Sequence, residues 1–394
     1  MMQYRRFGRT ELSMPVFSCG GMRYQFKWQR VPLAEIPEAC QRNLEATINR
    51  AVELGITHIE TARGYGTSEL QLGQILPKLP RNQLIVQTKV TPQGQPQEFR
   101  QAIEQSLETL GLDFIDLLGL HGINTDEILD HCLRPDGYLE VAQHLRAAGK
   151  VRFIGFSTHG STETIVRAIA THQFDYVNLH WYYINQQNWP AIAAATAADM
   201  GVFIISPTNK GGLLDQPSQK LMDLCAPLSP IQFNDLFCLS HPQVHTLSVG
   251  AACPGDFDDH LKILGLLPQA SEILPPILHR LQQAACESLG EEWYKTWQVG
   301  LPSATETPQG INIPVILWLW NLATAYDLVD YAKMRYNLLS NGSHWFPGAQ
   351  AEGVETLDLA PCLAHSPHGA KIPAILAAAH QLLGNQTVKR LSES

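Results

Sequence analysis

Short apolar, β-branched runs alternate along this chain with longer stretches whose apolar positions recur every three or four residues. The strand-like runs fall at residues 16–19, 57–60, 84–88, 115–120, 153–157, 176–180, 202–206 and 246–249. Between them, residues 43–55, 99–111 and 138–149 carry the helical period, and each stretch closes on a glycine: Gly55, Gly111 or Gly149. Upstream, residues 4–17 read as a short hairpin turning at Gly8-Arg9-Thr10. Eight strand-then-helix units over about 250 residues fit a closed (β/α)8 TIM barrel. A doubly wound sheet is the alternative, but it uses fewer strands and a Gly-rich dinucleotide loop, and the chain has no G-x-G-x-x-G.

Residues 266–394 are not needed to close such a barrel and read as a smaller all-α domain, so the expected division is 1–265 and 266–394. Of the 394 residues, 45% are hydrophobic and 16% charged, which suits a globular protein of more than one domain. The net charge of −9, unbroken by any Lys/Arg cluster, argues against nucleic acid as a partner. The longest apolar stretch, 313–322, contains a proline and is too short to cross a membrane, and the N-terminus lacks a signal-peptide core. A cytoplasmic protein is expected. The eight cysteines form no C-x-x-C pair and read as reduced thiols packed as small apolar side chains.

Four ionisable groups stand at the ends of three successive strand runs. Glu60 and Tyr65 follow the second run, Lys89 the third and His121 the fourth. In a parallel α/β protein these ends share one edge of the sheet, where active sites gather. A phenol has a reference pKa of about 10, which a nearby ammonium lowers. A carboxylate holds that ammonium charged, and a neutral imidazole can orient a carbonyl oxygen. Together they can protonate a carbonyl oxygen while hydride reaches its carbon. Each residue alone has an ordinary reading as a half-buried tyrosine, a strand-end cation or a loop histidine. Their shared position makes the signal.

The segments Tyr4-Arg5-Arg6-Phe7-Gly8-Arg9-Thr10-Glu11-Leu12, Thr61-Ala62-Arg63-Gly64-Tyr65-Gly66-Thr67-Ser68-Glu69 and Gly149-Lys150-Val151-Arg152-Phe153-Ile154-Gly155-Phe156-Ser157 resemble the aldo-keto reductase family. That resemblance implies a (β/α)8 barrel, a nicotinamide cofactor across its C-terminal mouth, and carbonyl reduction. It assigns Tyr65 as proton donor, Lys89 as modulator of the tyrosine and His121 as carbonyl orienter. Glu60 stands where the family has Asp. The cofactor contacts it implies are Ser157, and Asn178 in place of a Gln. Further candidate cofactor contacts are Ser206 and the Lys210-Gly211-Gly212 turn after the seventh strand, which either brings backbone close to the pyrophosphate or simply starts a helix, and Gly250 and Asp256 after the eighth. Thr158 and His159 replace the usual Asn-Phe, and Ile205 replaces a stacking aromatic. The loop after the eighth strand carries Asp256, Asp258 and Asp259 where the family places cations for the 2′-phosphate of NADPH, so NADH is as plausible a cofactor as NADPH. The competing reading is that these aspartates cap the next helix. Trp28, His180 and Trp181, with Tyr182 and Tyr183, are expected around the substrate.

The C-terminal part holds a repeat: Pro308-Gln309-Gly310-Ile311-Asn312-Ile313-Pro314 echoes Pro367-His368-Gly369-Ala370-Lys371-Ile372-Pro373. It resembles the helical ferredoxin-like domain of one aldo-keto reductase branch, whose repeats carry C-x2-C-x2-C-x3-C-P. The four cysteine positions hold Trp297, Gly300, Ser303 and Thr307 in the first repeat, and Thr356, Leu359, Cys362 and Ser366 in the second. One thiol cannot hold a four-iron cluster, so no iron–sulfur cluster or other metal is expected. Burial of Trp318, Trp320, Trp345 and the leucines is expected to replace it as a source of stability. A surface for a redox partner or a second subunit is the alternative use of those rings. The leading functional expectation is NAD(P)H-dependent reduction of a small-molecule aldehyde or ketone. The other is a weakly catalytic cofactor-binding sensor or partner subunit.

Overall fold

The computed structural model describes residues 1–341 and 347–384. They form two compact units. The first comprises Met1–Gly211 and Asn234–Ala270; the second comprises Gly212–Phe233 and residues 271–384.

The first unit opens with a hairpin, β1 (Tyr4–Arg6) against β2 (Ser13–Pro15), in the register Tyr4↔Pro15 to Arg6↔Ser13. Eight parallel strands follow: β3 (Phe17–Gly20), β4 (His58–Glu60), β5 (Ile85–Val90), β6 (Ile115–His121), β7 (Val151–Ser157), β8 (Tyr176–Leu179), β9 (Gly201–Ile204) and β10 (Thr246–Val249). They pair in chain order, and β10 closes the barrel on β3. The eight strands match the eight runs in the sequence because each is buried on both faces and reads as a near-continuous apolar run. The intervening helices carry recognisable signals. Helix Pro96–Leu110 starts on a Gln95–Glu98 capping box with Pro96 in its first turn, and stops at Gly111, which takes the left-handed conformation at φ 65°.

The hairpin seals the N-terminal end of the barrel. Phe7 and Met14 are fully buried with Leu117, Tyr176 and Phe203 in one apolar cluster. Phe7 lies so close to the start of β9 that a Cβ on Gly201 would come within 2.5 Å of its ring.

In the second unit the repeated Ile-Pro pairs open two helices, Ile313–Tyr326 and Ile372–Leu383, with proline in the first turn of each. Its core is aliphatic and tyrosyl: Ile316, Leu317, Leu319, Tyr331, Tyr336, Ile372 and Leu376 are buried, with Trp293 donating its indole N–H to Asn321 at 2.8 Å. The expected leucines Leu317, Leu319 and Leu322 are buried, while Trp318 and Trp320 are half-buried. Helix Ile313–Tyr326 points its Ile and Leu side chains inward, and Trp318 sits edge-on to Tyr331 at 6.1 Å. Trp345 lies outside the described residues. All eight cysteines are free; Cys19, Cys132, Cys225 and Cys238 are buried and Cys253 is exposed. No helix among the described residues is long and apolar enough to cross a membrane.

Candidate active site

Past β4 the backbone stays bonded to β5, with Thr61 and Arg63 N–H donating to Gln87 and Lys89 carbonyls at 2.8 and 2.9 Å. It then turns tightly, and Ser68 N–H donates to the Tyr65 carbonyl at 2.9 Å. Gly66 adopts φ 50°, and a Cβ there would lie 1.9 Å from the Lys27 carbonyl and 2.5 Å from Trp28 Cα. Only glycine lets the loop after β3 cross this turn. Thr67 Oγ1 fastens that loop by accepting from Phe26 and Lys27 N–H at 3.1 and 3.2 Å. As a result Trp28 stands edge-on to Tyr65, ring centroids 5.8 Å apart at 78°. The Glu69 carboxyl is buried beneath the turn, where it accepts from Thr88 and Ser106 hydroxyls at 2.7 and 3.1 Å. Burial pushes its pKa up, against the pull of those two hydroxyls.

The four strand-end groups meet. Lys89 is fully buried; its ammonium contacts Glu60 Oε1, donates to the Thr61 carbonyl at 3.0 Å and stands 4.7 Å from the Tyr65 ring centroid. The other Glu60 oxygen accepts from Gly21 N–H at 3.3 Å. A Cβ on Gly20 would lie 3.4 Å from that oxygen and 2.4 Å from Ser248 Oγ. What Gly20 and Gly21 make room for is the Ser248 hydroxyl and the Glu60 carbonyl, the latter 2.6 Å from a Cβ on Gly21. Tyr65 and His121 face each other edge to face, 5.8 Å apart at 84°. Burial, reinforced by the Lys89 charge, drives the His121 pKa to about 3, so its ring is neutral, and its buried Nδ1 has no partner among the described residues. Burial also pushes the Tyr65 phenol up. The expected lowering by Lys89 is therefore not the dominant effect in the protein alone, and the phenol keeps its proton through the neutral range. Lys89 is pushed down by burial, and the adjoining Glu60 carboxylate opposes this.

Along the neighbouring strand ends, Ser157 Oγ accepts from Gly122 N–H at 3.2 Å, next to His121. Asn178 is fully buried, and both its amide nitrogen and its amide oxygen lack a partner among the described residues. A buried, unpaired primary amide is costly unless a ligand supplies a donor and an acceptor, as a carboxamide does. Ser206 takes a left-handed φ of 53°, and Gly211 closes the following turn so tightly that a Cβ would lie 1.9 Å from the Pro207 carbonyl. Lys210 Nζ lies 3.3 and 3.2 Å from nitrogens of His159 and His180, whose rings stack at 4.6 Å. Tyr182 OH bonds to His180 Nδ1 and donates to the Ile205 carbonyl. Trp181 is 1% exposed, stacked on Phe237 at 5.1 Å and edge-on to His241.

After β10, Gly250 packs against the Arg23 side chain, where a Cβ would meet Cδ at 3.2 Å. Asp256 accepts from Ala252 and Cys253 N–H at 2.7 and 3.2 Å, Asp258 pairs with Arg50 at 3.4 Å, and Asp259 pairs with Lys262 at 3.1 Å. Each aspartate of this loop has a local partner. Sequence reasoning missed Gly20, Glu69 and Arg23; the Gly20-Gly21 pair directly after a strand was the available signal. Among the described residues no group of three or more His, Cys, Asp or Glu could hold a metal ion.

A model of the Aldo/keto reductase family matches residues 18–235. The protein named "Probable aldo-keto reductase 1" of Glycine max is 32% identical over 179 residues, covering 42% of this chain and 50% of its own length. The NADH-specific methylglyoxal reductase of Escherichia coli (strain K12) is 32% identical over 130 residues, covering 28% of this chain and 39% of its own length. The chain thus spans half or less of the length of these relatives. An aldo-keto reductase from Bacillus halodurans, in its holo form, superposes with a TM-score of 0.55 at 20% identity, over 71% of this chain and 96% of that one. At that identity the likeness carries the fold.

Proposed function

This chain belongs to the aldo/keto reductase family, and from that premise we propose that it reduces an aldehyde or ketone to the alcohol, with NADH or NADPH as the reductant. The observation that carries this reading is the buried contact of Lys89 with Glu60 beneath a protonated Tyr65 that faces a neutral His121. The cofactor, when bound, supplies hydride to the carbonyl carbon. Tyr65 gives its phenolic proton to the carbonyl oxygen, so the alcohol forms with one hydride and one proton. The Lys89 ammonium stabilises the phenolate left behind, and Glu60 keeps that ammonium charged. The neutral His121 ring has one N–H with which to orient the carbonyl oxygen. The unpaired Asn178 amide and the Ser157 hydroxyl are suited to hold the nicotinamide carboxamide.

The Trp28 edge over Tyr65 favours an apolar or aromatic carbonyl. Among the relatives, one is named for NADH specificity, and the three aspartates after β10 disfavour a 2′-phosphate. Both support NADH over NADPH. The helical C-terminal unit is read as a ferredoxin-like domain that has lost its cluster ligands. Oxidation of NADH and NADPH over a panel of aldehydes and ketones tests the proposal, with Tyr65→Phe expected to lose at least a hundredfold in turnover. Cofactor binding without turnover of any carbonyl would favour the sensor reading instead.

A further inference from the structure

Beneath the Lys89–Glu60 pair, the barrel interior is polar rather than hydrocarbon. His58, two residues before Glu60 on β4, is fully buried. Its Nδ1 bonds to Ser18 Oγ on β3 at 2.7 Å, and Ser18 Oγ bonds to Thr246 Oγ1 on β10 at 2.7 Å. Phe203 closes one side of the ring, edge-on at 5.2 Å. On the other side, His58 Nε2 and Gln87 Oε1 are both buried without a full hydrogen bond, and the Gln87 side chain acts on the ring at longer range. Gln87 in turn donates to Tyr176 OH at 3.4 Å. That phenol reaches the strand position beside the Lys89 stem, for a Cβ on Gly119 would lie 3.3 Å from Tyr176 OH and 2.8 Å from Lys89 Cγ. A belt of side chains from β10, β3, β4, β5 and β8 therefore crosses the barrel one layer below the ion pair.

We propose that His58 is a positioning residue: held by Ser18–Thr246 and lying with Gln87 and Tyr176 in the layer beneath the ion pair, it provides the neutral polar floor that keeps Lys89 charged and aimed at Tyr65. Charge arguments agree with the geometry. Burial first, and the Lys89 charge second, drive the His58 pKa to about 3, so the ring carries no competing charge. With Nδ1 accepting from Ser18, a neutral ring carries its proton on Nε2, where the Gln87 oxygen can accept it. A hydrocarbon in its place would make the layer beneath the buried ammonium apolar and raise the cost of keeping its charge there.

The role in turnover rests on the carbonyl-reductase reading, so the test has two readouts. Lysines labelled with 13C at Cε are titrated by NMR in wild type, His58→Leu, His58→Gln and Ser18→Ala, with Lys89→Met used only to assign the Lys89 signal. The pH profile of kcat is measured alongside, and thermal melts report folding. In His58→Leu, Lys89 is expected to titrate about one pH unit lower, and the basic limb of kcat to move with it, since burial lowers Lys89 while raising Tyr65. His58→Gln restores most of the shift and Ser18→Ala gives part of it. A folded His58→Leu protein whose Lys89 titrates as in wild type overturns the inference, as does a His58→Gln protein shifted equally far. If wild type reduces no carbonyl while the Lys89 titration still moves, the positioning role stands and the proposed reaction falls.

Discussion

The Glu60 carboxylate touches the Lys89 ammonium through Oε1 while its Oε2 accepts from Gly21 N–H at 3.3 Å. The glutamate that stands where the resemblance places aspartate thus keeps a buried ion pair with Lys89. Buried ion pairs are held together more by the cost of breaking them than by net attraction. Glu60→Gln, which leaves an uncompensated ammonium, is expected to destabilise the barrel by about 3–5 kcal/mol and to abolish turnover. Glu60→Asp keeps the charge but withdraws it by about 1 Å, so a severalfold loss of kcat with little change in the melting temperature is expected. Steady-state kinetics and thermal melts on both variants check this, and equal melting temperatures for Glu60→Gln and wild type would contradict it.

How far the sequence foretold this site follows from what strand ends look like. Tyr65, Lys89 and His121 were legible because each terminates a run of apolar residues that only a doubly buried strand explains. The barrel was legible for the same reason. Gly20 was not, since a glycine's importance lies in which atom approaches it, here Ser248 Oγ from the last strand of the barrel. The clustering of His159 with His180 and Lys210 was equally hidden, since the three come from successive strand ends and share no local pattern. That the leucines are buried more fully than Trp318 and Trp320 carries no signal in the sequence, because the helix Ile313–Tyr326 is apolar on nearly every face and periodicity cannot say which side turns inward.

Asn178 provides a direct probe of cofactor binding. Its amide is buried with neither donor nor acceptor satisfied among the described residues, a state a carboxamide would relieve. Asn178→Leu, nearly isosteric but unable to hydrogen-bond, is expected to raise the Kd for NADH or NADPH by at least tenfold. The same change is expected to hold or raise stability in the protein alone, because it removes two unpaired polar atoms. Fluorescence titration and denaturant unfolding separate the two effects. A variant that loses stability but not affinity would show that the amide serves the fold.

Buried neutral histidines make the barrel acid-sensitive. His58 and His121 have pKa values of about 3, and His245 of about 4, each lowered chiefly by burial. An unfolded histidine titrates near 6.5, so between these values the unfolded chain binds more protons than the folded one. Stability is complete above about pH 6.5 and falls as the pH drops toward the folded-state values. At pH 5 each of these histidines costs about 2 kcal/mol. The urea midpoint of the barrel transition is thus expected to fall steeply between pH 7 and pH 5. A midpoint independent of pH over that range would mean that the three rings are not buried as described.

Asp256 decides between two readings of the acidic loop. Its carboxylate accepts from the Ala252 and Cys253 N–H groups, so part of its role is to hold the loop after β10 in shape. It is also a negative charge close to where the resemblance would place a 2′-phosphate. Asp256→Asn keeps an acceptor for those N–H groups and removes the charge. Asp256→Ala removes both and is expected to cost about 1 kcal/mol, as loss of a helix cap does. If charge sets the cofactor preference, Asp256→Asn binds NADPH severalfold tighter relative to NADH, with an effect that shrinks as salt is raised. If the loop's shape sets it, Asp256→Asn leaves the NADPH to NADH ratio unchanged, and only Asp256→Ala weakens both cofactors together. Paired Kd measurements for the two cofactors, at low and high ionic strength, distinguish the outcomes. Arg50→Ala, which frees Asp258 from its partner, is expected to shift the preference further toward NADH if the charge reading is correct.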